Sequence, residues 1–136
     1  MEKVFILSKD ELKDLLDFIE DKIKKRVIIL LRGDLGSGKT TLVQEFVKRK
    51  GSSATSPTFS IQQIYGEDIF HYDLYGVGLE KFLELGLFDE FEKDGIHFVE
   101  WGDEKLENLL KIAGFDYMVI NIEPKNSKRV YKVVNA

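Results

Sequence analysis

The chain has 136 residues, 43% of them apolar and 32% charged, and its net charge is −4. That is material for one globular core, so residues 1–136 are expected to form a single domain. The absence of cysteine excludes a disulfide framework, a thiolate metal site and a cysteine nucleophile. No run approaches the roughly 18 to 20 apolar residues that cross a bilayer. The basic residues are scattered or in short runs rather than gathered on one face, as an autonomous nucleic-acid binder would have them. A cytoplasmic protein is expected, with no membrane or DNA partner and with any nucleic-acid role exercised through another protein.

Val4-Phe5-Ile6-Leu7 reads as a short strand. Ser8-Lys9-Asp10-Glu11 has the S-x-x-E pattern of a capping box, and Leu12, Leu15, Leu16, Ile19 and Ile23 follow at helical spacing. Val27 to Leu31 is a continuous apolar run, the mark of a buried parallel strand. Directly after it, Gly33-Asp34-Leu35-Gly36-Ser37-Gly38-Lys39-Thr40 completes the pattern G-x-x-x-x-G-K-[ST]. Glycines at these places let several backbone N–H groups turn toward one anion. Lys39 is then placed to reach β- and γ-phosphates, and the Thr40 hydroxyl to sit on Mg²⁺. Leu42, Val43, Phe46 and Val47 continue at helical spacing up to Lys50-Gly51, so the loop lies between strand and helix, the context it needs.

Residues 51–58 are polar and turn-prone. Residues 59–65 and 68–73 read as two strands of a hairpin turning at Gly66-Glu67. Residues 79–91 alternate acids with Leu and Phe, predicting one or two short helices broken near Gly86. A strand over 96–100, a short helix over 103–110, and strands over 117–122 and 129–134 complete the chain, the last two joined through Pro124-Lys125-Asn126-Ser127. Strands alternating with helices around a phosphate loop predict an α/β fold. The expected form is a three-layer P-loop NTPase domain with a mostly parallel central sheet and antiparallel edge strands.

A phosphate loop needs a carboxylate at the tip of a neighbouring strand for its metal. Asp73 and Glu100 each end an apolar run. Spacing leaves open which of them would serve the metal and which would orient or deprotonate the attacking water. His71, two residues before Asp73 and on the same strand face, could contact a phosphate or orient a carboxylate. His97 reads as a satisfied, half-buried imidazole. Thr58 lies in a segment resembling a nucleotide switch, and Trp101 could stack on a base or pack at the rim. There is no Asn-Lys-x-Asp segment to read guanine. With only Arg26, Arg32, Arg49 and Arg129, there is no arginine-rich lid, and an arginine finger would have to come from a partner.

The segments Gly33 to Thr41, Ser56-Pro57-Thr58-Phe59, His71-Tyr72-Asp73-Leu74-Tyr75, Gly86-Leu87 and Val99-Glu100-Trp101 follow one another as in the TsaE (YjeE-like) ATPases, which the chain resembles over nearly its whole length. The resemblance implies an ATPase using ATP and Mg²⁺. It further implies a need for the protein in forming threonylcarbamoyladenosine next to the anticodon of tRNAs that read codons beginning with A. The family acts in a complex with the TsaD transferase and TsaB, and tRNA would be met through that complex. Carried over, Gly33, Asp34, Leu35, Gly36, Ser37, Gly38, Lys39, Thr40 and Thr41 would hold the nucleotide. Thr40 and Glu100 would be Mg²⁺ ligands, Asp73 a phosphate-proximal catalytic or metal-shell acid, and Asp10 would approach the adenine. One departure is Gly76, which follows Tyr75 where the family usually has arginine. Two rival functions are a small-molecule kinase and a nucleotide-switched binding module that does not hydrolyse. Residues 80–91 could form part of a docking surface through Phe88 and Phe91, or be ordinary helix packing.

Overall fold

The computed structural model describes residues 2–52 and 61–134. Its strands are β1 (Glu2–Leu7), β2 (Arg26–Arg32), β3 (Gln62–Tyr65), β4 (Ile69–Asp73), β5 (Gly95–Glu100), β6 (Tyr117–Lys125) and β7 (Lys128–Val134). The helices are α1 (Lys13–Lys22), α2 (Lys39–Arg49), α3 (Gly78–Glu84) and α4 (Glu104–Ala113), with a 3-10 helix at Leu87–Glu92. One sheet of seven strands runs in the order β1-β7-β6-β2-β5-β4-β3. β6, β2, β5 and β4 are parallel; β7 and β3 run antiparallel to their neighbours β6 and β4, and β1 pairs antiparallel with β7 at the sheet edge. The expected architecture is the observed one.

The layers follow from the two-residue period of the central strands. Ile29 and Leu31 of β2 face a core closed by Leu15, Ile19, Leu42, Val43 and Phe46 of α1 and α2. Ile28 and Leu30 face the opposite core, closed by Phe82, Phe91, Leu106 and Leu110. A strand covered on both faces can be apolar without alternation, and Val27 to Leu31 are all buried. Among the described residues, no helix is long and apolar enough to cross a membrane.

Several local expectations change. The Ser8 hydroxyl donates to the Glu11 carboxylate at 2.6 Å instead of accepting from a helix N–H. The Glu11 N–H donates to the Ser8 carbonyl, which makes a turn, and α1 begins only after the buried Leu12. Pro124 lies within β6 rather than in a connection, and the turn is reduced to Asn126 and Ser127. The strand tolerates it because pairing of β6 with β2 ends at Asn121, so no neighbour needs the missing N–H. Residues 79–91 do divide at Gly86, whose φ of +74° is the left-handed conformation that ends a helix.

Phe88 and Phe91 turn toward the core, as the helix-packing alternative has it. Phe91 is fully buried and packs edge-on to Tyr72 and His97, and half-buried Phe88 packs edge-on to Phe91. His97 is likewise fully rather than half buried. Its Nε2 lies 2.9 Å from the Lys93 carbonyl and its Nδ1 2.7 Å from the Tyr72 hydroxyl. A carbonyl can only accept, so Nε2 carries the proton and Nδ1 accepts from Tyr72. Burial pushes the His97 pKa down to about 4, so the ring is a neutral pin between β4 and β5.

Candidate functional site: a phosphate loop facing two strand-end carboxylates

The loop leaves β2 at Gly33 and enters α2 at Lys39. Gly33 has a steric reason against fixed backbone, whereas at Gly38 the backbone conformation is what demands glycine. A Cβ at Gly33 would come within 2.6 Å of the Ile122 carbonyl oxygen, and one at Gly38 within 2.7 Å of Arg129 Nη1. Gly38 has a left-handed φ of +111° and precedes α2 without any side-chain cap. There is also no acid in the first turn of α2. Helix α4 shows the contrast: Asp103 accepts from the Leu106 N–H, and Glu104 and Glu107 occupy the first turn. An uncapped helix start behind a glycine loop presents N–H donors and the positive dipole end to an external anion.

Lys39 is 5% exposed, and its ammonium donates to the Gly33 carbonyl at 2.5 Å and the Asp34 carbonyl at 3.0 Å. It also lies 4.0 Å from the centroid of the Trp101 ring. The Thr40 hydroxyl lies 2.8 and 3.0 Å from the two carboxylate oxygens of Glu100. Glu100 is 3% exposed, and its Oε2 sits 2.5 Å from Nε2 of His71. Asp73 pairs with Glu100 in the register of β4 and β5 and is exposed, with Oδ1 accepting from the Tyr75 N–H.

These groups converge on a cavity of ≈ 240 Å³ at the carboxyl ends of the parallel strands. Leu35, Gly36, Gly38, Lys39, Thr40 and Thr41 line it from the loop and helix, and Asp73, Tyr75, Glu100, Trp101 and Arg129 from the strand ends. Such crevices are where open α/β sheets take their ligands. A larger cavity of ≈ 480 Å³ opens at the other end of β2 and β6. Asp21, Asp116, Lys22, Lys24 and Tyr117 line it without a glycine loop among the lining residues, and its Arg26 donates to the Glu92 carbonyl and lies over the Phe115 ring.

Trp101 has φ of +65°, a strained conformation for a bulky side chain and worth about 1–3 kcal/mol. That turn directly after β5 lets Glu100 face Thr40 while the indole folds over Lys39 and against the Tyr75 ring, 5.0 Å away. The rim placement expected for Trp101 is thus realised beside the loop lysine.

Not every expected residue lines this cavity. Gly33 and Asp34 serve through their carbonyls on Lys39, and Ser37 is buried with its hydroxyl unpartnered among the described residues. Asp10 lines a separate cavity with Lys13, Glu45, Lys48 and Arg49, beside α2. Thr58 lies outside the described residues. Two cavity residues were not singled out from sequence, Tyr75 and Arg129. Tyr75 belongs to the quoted His71 to Tyr75 segment, whereas nothing local marks Arg129, which sequence separates from the loop by 90 positions.

The donor set suits a hard divalent ion. Thr40 and Glu100 bring oxygen donors together, and Asp73 lines the same cavity. Among the described residues, no cluster of three or more His, Cys, Asp or Glu side chains could cage a metal unaided. Mg²⁺ fits such a sparse set, because it keeps waters and takes phosphate oxygens to complete its octahedron.

The family model described as threonylcarbamoyl adenosine biosynthesis protein TsaE matches residues 6–131. The tRNA threonylcarbamoyladenosine biosynthesis protein TsaE of Rickettsia prowazekii is 37% identical over 110 residues, 76% of this chain and 75% of that one. Its namesake in Aquifex aeolicus is 31% identical over 141 residues, covering 97% of each chain. The crystal structure of Bacillus subtilis YdiB superposes with a TM-score of 0.68 at 23% identity, over 98% of this chain and 84% of that one, and shares its fold. The chain belongs to the TsaE family of threonylcarbamoyl adenosine biosynthesis proteins.

Proposed function

We propose that the protein is an Mg²⁺-dependent ATPase serving threonylcarbamoyladenosine formation on tRNA in a complex with TsaD and TsaB. The observation that carries the ATPase reading is the Thr40 hydroxyl against the Glu100 carboxylate, at the mouth of an uncapped glycine loop that holds Lys39. The loop N–H groups and the start of α2 bind the polyphosphate, and Lys39 exchanges its carbonyl partners for phosphate oxygens. Thr40 and Glu100 would hold Mg²⁺, which would supply charge neutralisation on the phosphates. Asp73, exposed in the same cavity, orients the attacking water. His71 steadies the Glu100 carboxylate through its Nε2 contact.

The cavity is open and small, and Trp101 covers Lys39, so the isolated protein excludes water from a bound nucleotide poorly. Turnover is therefore expected to be slow alone and to rise when TsaD and TsaB are added. The test is phosphate release with and without those proteins, in the presence and absence of Mg²⁺. Lys39→Ala should abolish nucleotide binding, while Glu100→Ala should retain much of the binding and cut hydrolysis by about a hundredfold or more. Equal ATP turnover in Glu100→Ala and wild type would remove Glu100 from the mechanism. ATP consumption that rose steeply with a small phosphate acceptor would make the protein a kinase instead.

A further inference from the structure

A bulky residue in a left-handed backbone stays there only when the chain on both sides of it is fixed. Before Trp101 the sheet fixes it. Glu100 is level with Leu31 of β2 and Asp73 of β4, and its carbonyl accepts from the Leu74 N–H at 3.1 Å. After Trp101 neither ladder continues, since both end at Glu100. Yet Gly102 is buried, and its carbonyl needs a donor.

That donor is a side chain. Arg32, the last residue of β2, donates from Nε to the Gly102 carbonyl at 3.1 Å. Its Nη2 donates to the Glu107 carboxylate of α4 at 3.0 Å, and the other Glu107 oxygen accepts from the Tyr117 hydroxyl at 2.7 Å. Burial alone would raise the Glu107 pKa, but the Tyr117 hydroxyl and the guanidinium outweigh it and hold the carboxyl below its ordinary value. The guanidinium thus meets a charged acceptor on one side and a backbone acceptor on the other, which fixes the orientation of its planar fork. Next along the chain, Asp103 caps α4 through the Leu106 N–H, so Gly102 lies between two anchored points.

The turn held in this way serves the site. It sets the Trp101 indole over Lys39 and against Tyr75, and Glu100 directly before it faces Thr40. Arg32 itself is not among the residues that line the loop cavity. At the opposite end of the same strand, Arg26 makes a comparable bond to the Glu92 carbonyl, remote from the loop. We propose that Arg32 is a positioning residue: by holding the Gly102 carbonyl it keeps Trp101 in its turn, with the indole on the loop lysine and Glu100 aimed at Thr40. Its effect on turnover rests on the ATPase reading given above, whereas its effect on the turn does not.

The test is backbone amide NMR relaxation of ligand-free wild type, Arg32→Gln, Arg32→Lys and Arg26→Gln, followed by steady-state ATP hydrolysis with Mg²⁺. In wild type the Trp101 and Gly102 amides should be rigid, with order parameters of about 0.85, and in Arg32→Gln they should fall below about 0.6. Arg26→Gln, which loses an arginine-to-carbonyl bond at the far end of β2, should leave both amides at wild-type values. Arg32→Lys should lie between, since an ammonium keeps the charge without the fork. The kcat of Arg32→Gln should fall about tenfold or more while KM changes less than about threefold, because the loop amides and Lys39 still hold the nucleotide. Rigid Trp101 and Gly102 amides in Arg32→Gln would overturn the proposal, as would equal loosening in Arg26→Gln. Unchanged kcat, with or without a raised KM, would overturn the part Arg32 plays in turnover. Should Arg32→Gln fail to fold, Arg32→Lys decides, and wild-type order parameters there overturn the proposal. If wild type hydrolysed no ATP, the ATPase reading would fall, and the relaxation comparison would still decide whether Arg32 holds the turn.

Discussion

Acidification to pH 5 should destabilise the protein through one buried side chain, His97. The folded ring is held neutral, with a pKa of about 4, chiefly because burial disfavours its charged form. In the unfolded chain it returns to its ordinary value of 6.5. A depressed folded pKa means that the unfolded state binds more protons between those two values. The stabilisation is therefore fully present above pH 6.5 and is lost as pH falls toward 4. With these values the loss is about 2 kcal/mol at pH 5 and about 3 kcal/mol near pH 4, relative to neutral solution. Urea unfolding of wild type and His97→Gln at pH 7.5, 6.5 and 5 measures it. Glutamine can accept from Tyr72 and donate to the Lys93 carbonyl without titrating, so its stability should fall less than that of wild type across the window, by about the 2 kcal/mol assigned to His97. Parallel pH slopes for the two proteins would refute the assignment of a buried, neutral His97.

Phe91→Ala should cost about 3–5 kcal/mol of unfolding free energy, because it empties a fully buried site within the Tyr72, Phe82 and Phe88 ring cluster. A loss under about 1 kcal/mol in chemical denaturation would mean that the ring is not core. Gly95→Ala should cost about 2 kcal/mol or more, lowering Tm on the order of 7 °C. The new Cβ would fall 2.2 Å from the Asp68 carbonyl oxygen, in a backbone with φ of +127°. Unchanged thermal unfolding would contradict that clash.

What could be read from residue order was whatever depends on local pattern. The apolar run from Val27 to Leu31 needs burial on both faces, so it announced a central strand, and the octapeptide after it announced the loop. Asp73 and Glu100 were recognisable as strand-end acids because each terminates an apolar stretch, and they do meet in register. The start of α1 misled because Ser8 and Glu11 satisfy the capping pattern equally well by bonding to each other in a turn. Phe88 and Phe91 looked available because acids surround them, yet short helices with alternating acids bury their rings when Tyr72 and His97 supply the other half of a core. Arg129 was hidden for a topological reason. β7 joins the sheet next to β6 by an antiparallel turn, and only that crossing carries residue 129 back to the loop.

The left-handed turn at position 101 has an optical consequence. The indole there is the chain's lone tryptophan, and it rests 4.0 Å from the loop ammonium. Excited at wavelengths too long for its five tyrosines, the unlabelled protein thus emits from a single chromophore already seated at the pocket mouth. Any occupant that draws the ammonium away removes a cation from the ring's face, so filling of the pocket can be followed by intrinsic fluorescence without an added dye.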